Sequence, residues 1–184
     1  KFLSIVIFIF SVAFPSRGET RELICDFTKE QSLPDGWTMG KNVSFKNVDG
    51  VNCLYINSTN TSAESRSIYT GVFYKINKIK ISVKDYYSNK NSGFNISFYR
   101  PEGGTELCGF AYNNPDTGIS DCDVEFKNGT EYPFPTDIIN YSMGISCTGV
   151  AISCITITYE ERPEEEENVT SFIFRNYYGR DSEN

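Results

Sequence analysis

Ile79-Lys80-Ile81-Ser82-Val83-Lys84 alternates apolar and polar side chains without a break. A strand sends successive side chains to opposite faces, so this hexapeptide predicts one dry face and one wet face. Phe94-Asn95-Ile96-Ser97-Phe98 carries the same pattern. Residues 138–147 repeat it, with Ile139, Tyr141, Met143 and Ile145 set against Asn140, Ser142 and Gly144. Working outward, strands are expected near 22–27, 43–48, 52–57, 67–74, 76–85, 93–100, 106–112, 121–126, 138–147 and 151–159. The intervals hold turn-forming clusters such as Pro34-Asp35-Gly36, Asp49-Gly50 and Asn128-Gly129. About ten short strands at such spacing predict an all-β, jelly-roll-type sandwich of antiparallel strands.

Residues 2–14 (FLSIVIFIFSVAF) are uncharged, follow Lys1 and run into Ser16-Arg17-Gly18. A basic residue, a short apolar run and small residues at a cleavage site read as a secretory signal peptide over residues 1–18. The run is shorter than the ~20 residues that span a bilayer. The β-sandwich domain is then expected over 19–160 and an acidic linker with a C-terminal segment over 161–184. No apolar tail of the kind a lipid anchor or stop-transfer helix needs follows it. Asn42, Asn57, Asn60, Asn95, Asn128, Asn140 and Asn168 each open an N-x-Ser/Thr triplet. Such triplets are glycan acceptors in a secreted chain and must lie at the surface. Asn95 and Asn140 fall on the polar side of their alternating runs, as a glycan requires.

The same compartment sets the expectation for Cys25, Cys53, Cys108, Cys122, Cys147 and Cys154. Six cysteines in a secreted chain imply three disulfides stapling the sandwich. Six cysteines allow fifteen pairings, among which sequence alone does not choose; chain order favours Cys25–Cys53, Cys108–Cys122 and Cys147–Cys154. The chain contains no histidine, which removes Ser-His and Cys-His catalysis and the usual zinc ligand sets. A glycosidase needs only two converging carboxylates, but no pair is marked, so no catalytic residue is assigned. The formal charge of −7 argues against nucleic acid and anionic membranes as partners.

Binding residues are sought among the aromatics. Adjacent Tyr86 and Tyr87 face opposite ways on a strand, so one of them is expected at the surface. Tyr132-Pro133-Phe134-Pro135 is a stiff loop expected to display its rings, and Tyr112 is a further stacking candidate. Around Asn113-Asn114-Pro115-Asp116, the carboxylates Asp116, Asp121 and Asp123 offer oxygens for calcium. The simpler reading of Asn-Pro-Asp-x-Gly is a tight hairpin turn. Glu160, Glu161 and Glu164 to Glu167 read as a solvated linker. Beyond them Val169, Phe172, Ile173, Phe174 and Tyr177 fit a short helix or a strand equally.

Cys25-Asp26-Phe27, with Trp37 ten residues on, resembles the opening of MAM domains, the jelly-roll modules of receptor and protease ectodomains. Thr148-Gly149-Val150-Ala151-Ile152-Ser153-Cys154-Ile155 resembles their closing strand. Jelly rolls that bind carbohydrate have similar closing strands. The resemblance implies a sandwich fold and an extracellular binding role. Ser153-Cys154 stands where the family has an acidic pair, so no ligand residue carries over.

These features together predict a secreted, N-glycosylated, non-catalytic binding module. Its expected partner is an extracellular protein, engaged through loops at Tyr86-Tyr87, Asn113 to Gly118 and Tyr132 to Pro135. The alternative is a lectin-like module using Tyr87, Tyr112 or Tyr132 as a platform, with calcium at Asp116.

Overall fold

The computed structural model describes residues 18–56, 62–86, 93–102, 104–113, 120–129 and 131–163. Eleven strands lie among them: β1 (Thr20–Asp26), β2 (Thr38–Met39), β3 (Val43–Val48), β4 (Val51–Ile56), β5 (Ser67–Tyr69), β6 (Lys75–Tyr86), β7 (Gly93–Tyr99), β8 (Glu106–Asn113), β9 (Ser120–Lys127), β10 (Ser142–Thr148) and β11 (Val150–Glu160). The only helical element among the described residues is a single 3-10 turn, Glu64–Arg66. All pairings are antiparallel. One sheet runs β3-β4-β11-β6-β9, with β1 also on β11; the other runs β2-β5-β10-β7-β8. The span Thr20–Glu161 forms one compact unit.

Alternation decides what each sheet gives to the core. Ile79, Ile81 and Val83 of β6 and Ile155 and Ile157 of β11 are buried, and Lys78, Lys80 and Lys84 take the outer side. Phe94, Ile96 and Phe98 of β7 and Met143, Ile145 and Cys147 of β10 complete the same cluster from the opposite sheet. Two sheets packed on their apolar faces are a sandwich. Full burial stabilises by about 1.5–3 kcal/mol for each such side chain. Phe98 sits at an aromatic junction, with ring centroids 5.2 Å from Phe134 and 5.5 Å from Tyr141. Tyr141 is fully buried, and its hydroxyl oxygen accepts from the Ile76 N–H at 2.8 Å.

Turn residues set the register. Asp49 (φ 49°) and Gly50 (φ 85°) form a two-residue connection between the paired Val48 and Val51. Left-handed backbone at both positions matches the right-handed twist of a hairpin, which explains why Asp-Gly stands there. Gly149 (φ 59°) alone links β10 to β11, turning the chain from one sheet to the other.

Several expectations need correction. The strand expected over 138–147 starts at Ser142, because Asn140 adopts a left-handed φ of 59° and breaks the extended run. The run expected over 67–74 ends at Tyr69, with Phe73 joining only through a bridge to Tyr141. Glu160 is the last residue of β11 rather than linker, 6% exposed and 3.3 Å from Lys75 Nζ. The predicted stapling is not present: no disulfide joins any two of the six cysteines. Chain order ignores the faces of the sheets. Cys25 points into the main core, while Cys53 joins Val48 and Ala151 in a separate small cluster. Cys147 is likewise in the core, whereas Cys154 lies beside Thr156 Oγ1 at 3.9 Å. Cys108 rests its Sγ on the Pro133 carbonyl at 3.0 Å instead of on Cys122. Burial pushes the Cys25 thiol up to about 12, with nearby Cys154 adding to the effect.

Two outcomes are expected. Tyr141→Phe strands the Ile76 N–H and lowers stability by about 1–3 kcal/mol in urea titrations. Burial pushes the Tyr141 hydroxyl up to about 12, against roughly 10 in an unfolded chain. Its contribution to stability is therefore complete below pH ~10 and is lost as pH rises towards ~12. The Phe variant should lack that part of the alkaline loss. In the second test, a non-reducing peptide map should contain no Cys25–Cys53 and no Cys147–Cys154 linkage.

Candidate functional site

The outer face of the β2-β5-β10-β7-β8 sheet carries small and hydroxylated side chains with two tyrosines among them. In β7 the residues alternating with the buried Phe94, Ile96 and Phe98 are Asn95, Ser97 and Tyr99. In β10 they are Ser142, Gly144 and Ser146, and β5 adds Ser67 and Tyr69. Register brings them together: Gly144 lies between Tyr69 and Ser97, and Ser146 lies between Ser67 and Asn95. Ser142 pairs with Tyr99.

The result is a groove of about 130 Å³ lined by Ala63, Ser67, Tyr69, Asn95, Ser97, Tyr99, Gly144 and Ser146. Its floor is Gly144. A Cβ there would lie 2.9 Å from Tyr99 Cε2 and 3.3 Å from Tyr69 Cε1. Both rings therefore lean over a position that only glycine leaves open. Glycine inside a strand marks a close approach of something to the backbone. The polar rim is partly engaged: Ser97 Oγ donates to Glu106 Oε1 at 2.8 Å, and Ser67 Oγ donates to the Ala63 carbonyl at 2.6 Å. Ser146 Oγ is buried and has no hydrogen-bond partner. An unmet hydroxyl beside two half-buried rings suits a ligand with an apolar face and polar edges.

Of the binding and metal residues singled out from sequence, those that are described lie elsewhere. Phe134 is 4% exposed, between Phe98 and Phe110. Tyr132 packs on Phe110 and Phe126 with centroids 5.0 and 5.1 Å away. Burial, reinforced by a hydrogen bond with Glu131, raises its hydroxyl above the usual tyrosine value. Phe110 belongs to β8 and Phe126 to β9, the end strands of the two sheets, and their rings meet at 5.0 Å. The proline-flanked loop thus seals the open side of the sandwich instead of displaying its aromatics. Tyr112 stacks on Phe94 at 6.3 Å and meets Phe126 edge-on. Tyr87 and Asp116 lie outside the described residues, as do the side chains of Tyr86 and Asp121.

Asp123 stands on the far side of the molecule, 2.7 Å from Lys80 Nζ and accepting from Ser82 Oγ at 2.6 Å. The Lys80 hydrogen bond is the main reason its carboxyl sits below the usual range. Among the described residues no group of three or more Cys, Asp or Glu could hold a metal ion. None of their helices is long and apolar enough to cross a membrane. Of the triplet asparagines, Asn95 and Asn128 are exposed. Asn42 is half-buried and donates to Ser65 Oγ at 3.2 Å, and Asn140 is also half-buried. Asn57, Asn60 and Asn168 lie outside the described residues.

A larger cavity of about 450 Å³ lies beside β1, lined by residues including Leu23, Ile24, Phe27 and Leu33. Two of the charges on its rim are spent on each other, with Asp26 bonded to Lys29 at 2.7 Å and to the Thr28 hydroxyl at 2.5 Å. The smaller groove is the better candidate because its hydroxyl is unspent.

No family model matches the chain, the MAM resemblance included, and no curated protein matches it. Among solved structures it is similar to a carbohydrate-binding module specific for non-crystalline cellulose (CBM28). The identity is 12%, the match covers 69% of this chain and 89% of that one, and the TM-score is 0.33.

Filling the floor should close the groove. Gly144→Ala is expected to push the two rings apart and cost about 1–3 kcal/mol of stability, the usual range for overpacking. Chemical denaturation reads that loss.

Proposed function

We propose that the chain is a secreted, N-glycosylated, non-catalytic module that binds carbohydrate on the outer face of its β2-β5-β10-β7-β8 sheet. One observation carries the reading: Tyr69 and Tyr99 flank Gly144 over a groove of about 130 Å³. A cavity of roughly 150 Å³ accepts one benzene ring, so this groove is of single-ring size. A pyranose ring has an apolar C–H face for a tyrosine and hydroxyls around its edge. Ser146 lines the same groove, its Oγ covered by neighbouring atoms and without a hydrogen-bond partner. Asn95 and the Ser97–Glu106 pair supply further donors and acceptors. An open groove across several strands favours a sugar within a chain over a free monosaccharide. Tyr69 and Tyr99 replace Tyr87, Tyr112 and Tyr132 as the platform. The reading needs no calcium.

A protein partner, the role first expected, drew its support from the loops at Tyr86-Tyr87, Asn113 to Gly118 and Tyr132 to Pro135, of which residues 87–92 and 114–119 lie outside the described residues. In the third loop Tyr132 and Phe134 pack inward.

A glycan-array screen of the intact protein, with and without chelator, tests the proposal. Specific, saturable and chelator-insensitive binding is expected. Tyr69→Ala and Tyr99→Ala should each weaken it about tenfold, or ~1.4 kcal/mol, in variants that chemical denaturation shows to remain folded. A blank array, or binding indifferent to both substitutions, overturns the reading.

A further inference from the structure

We propose that an N-linked glycan on Asn95 lies along this groove and competes with sugars arriving from outside, so that occupancy of one triplet regulates the site. The inference rests on the carbohydrate reading above. Asn95 and Ser97 are the first and third residues of one N-x-Ser triplet, and both line the groove. Asn95 is exposed there, paired across the sheet with Ser146. Tyr99 lies on the same strand and the same face four residues on, a distance of about 13 Å at ~3.3 Å per residue.

Glycan transfer joins the Asn95 side-chain nitrogen to the anomeric carbon of an oligosaccharide carried on a lipid pyrophosphate. The anomeric C–O bond breaks, the lipid pyrophosphate departs, and the amide nitrogen gives up one proton. The first sugar is thereby fixed at the Ser146 end of the groove. There the buried Ser146 Oγ has no partner within the protein. The next sugars point along a lane whose other end holds Tyr69 and Tyr99. A ligand on so short a tether has an effective concentration of millimolar order. A free sugar must exceed that to displace it.

The experiment compares chain made in a glycosylating secretory host with glycan-free chain from bacteria, together with Asn95→Gln and Asn128→Gln from the secretory host. Mass mapping reads occupancy at Asn95. Titration with N,N′-diacetylchitobiose, the disaccharide that begins an N-linked chain, reads the groove. The glycan-free chain should bind at least tenfold more tightly than the form carrying the Asn95 glycan, and Asn95→Gln, which also changes a groove-lining side chain, should recover part of that gain. Asn128→Gln should behave like the fully glycosylated protein, because Asn128 does not line the groove. Equal binding with Asn95 occupied overturns the regulation and leaves the carbohydrate reading standing. So does an unmodified Asn95, or binding of other array sugars without diacetylchitobiose. If neither Asn95→Gln nor the glycan-free chain binds any sugar, the carbohydrate reading fails and the regulation falls with it.

Discussion

The sandwich depends on the burial of one strand. β11 pairs with β6 along one side and with both β1 and β4 along the other. Its Ile152, Ile155 and Ile157 are fully buried beneath the opposite sheet. A strand covered on one face and paired along both edges has almost no freedom of register, since a slip of one residue would turn three isoleucines to water. The irregularities it tolerates are local bulges against β6, near Ile152 and between Thr158 and Tyr159. The buried Glu160, held by Lys75 and within 3.5 Å of Asn77, marks the end of the ordered pairing.

The groove is the counterpart of that rigidity. With Phe94, Ile96, Phe98, Met143 and Ile145 fixed inward, the residues between them are fixed outward whatever they are. Core packing does not ask for serine, asparagine or glycine there, so those positions are free to serve a ligand. Gly144 weakens its own strand, because glycine adds entropy to the unfolded chain and contributes no side chain. Its neighbours offset this by covering it with two rings.

Strand positions were legible because period-2 alternation is a local property. β3 and β4 came out within a residue of the expectation, and the Asp49-Gly50 turn explains why. β2, two residues long, carries too little pattern to notice. The aromatic loop was misread for a non-local reason. Nothing in Tyr132-Pro133-Phe134-Pro135 says that Phe110 and Phe126 leave an uncovered side for it to close. The cysteines failed alike, since pairing by chain order takes no account of which face of which sheet each thiol occupies. The groove did have a signal in the sequence. Gly144 stands inside an alternating run, where glycine costs stability, and Tyr99 follows Asn95 and Ser97 on one face. What sequence could not supply was Tyr69, brought to Gly144 from 75 residues away by pairing of β5 with β10.

The pairing of β1 also bears on how the chain is made. Among the described residues its backbone partner is β11 alone, Thr20 meeting Glu160 and Asp26 meeting Cys154. A ribosome releases β1 early and β11 only after every other strand among the described residues. Until then β1 lacks its backbone partner and presents an unsatisfied edge, open to the wrong neighbour. Contacts so distant along the chain form slowly. The nascent protein therefore has a vulnerable interval set by the time of synthesis, which lasts until β11 slots between β1 and β6.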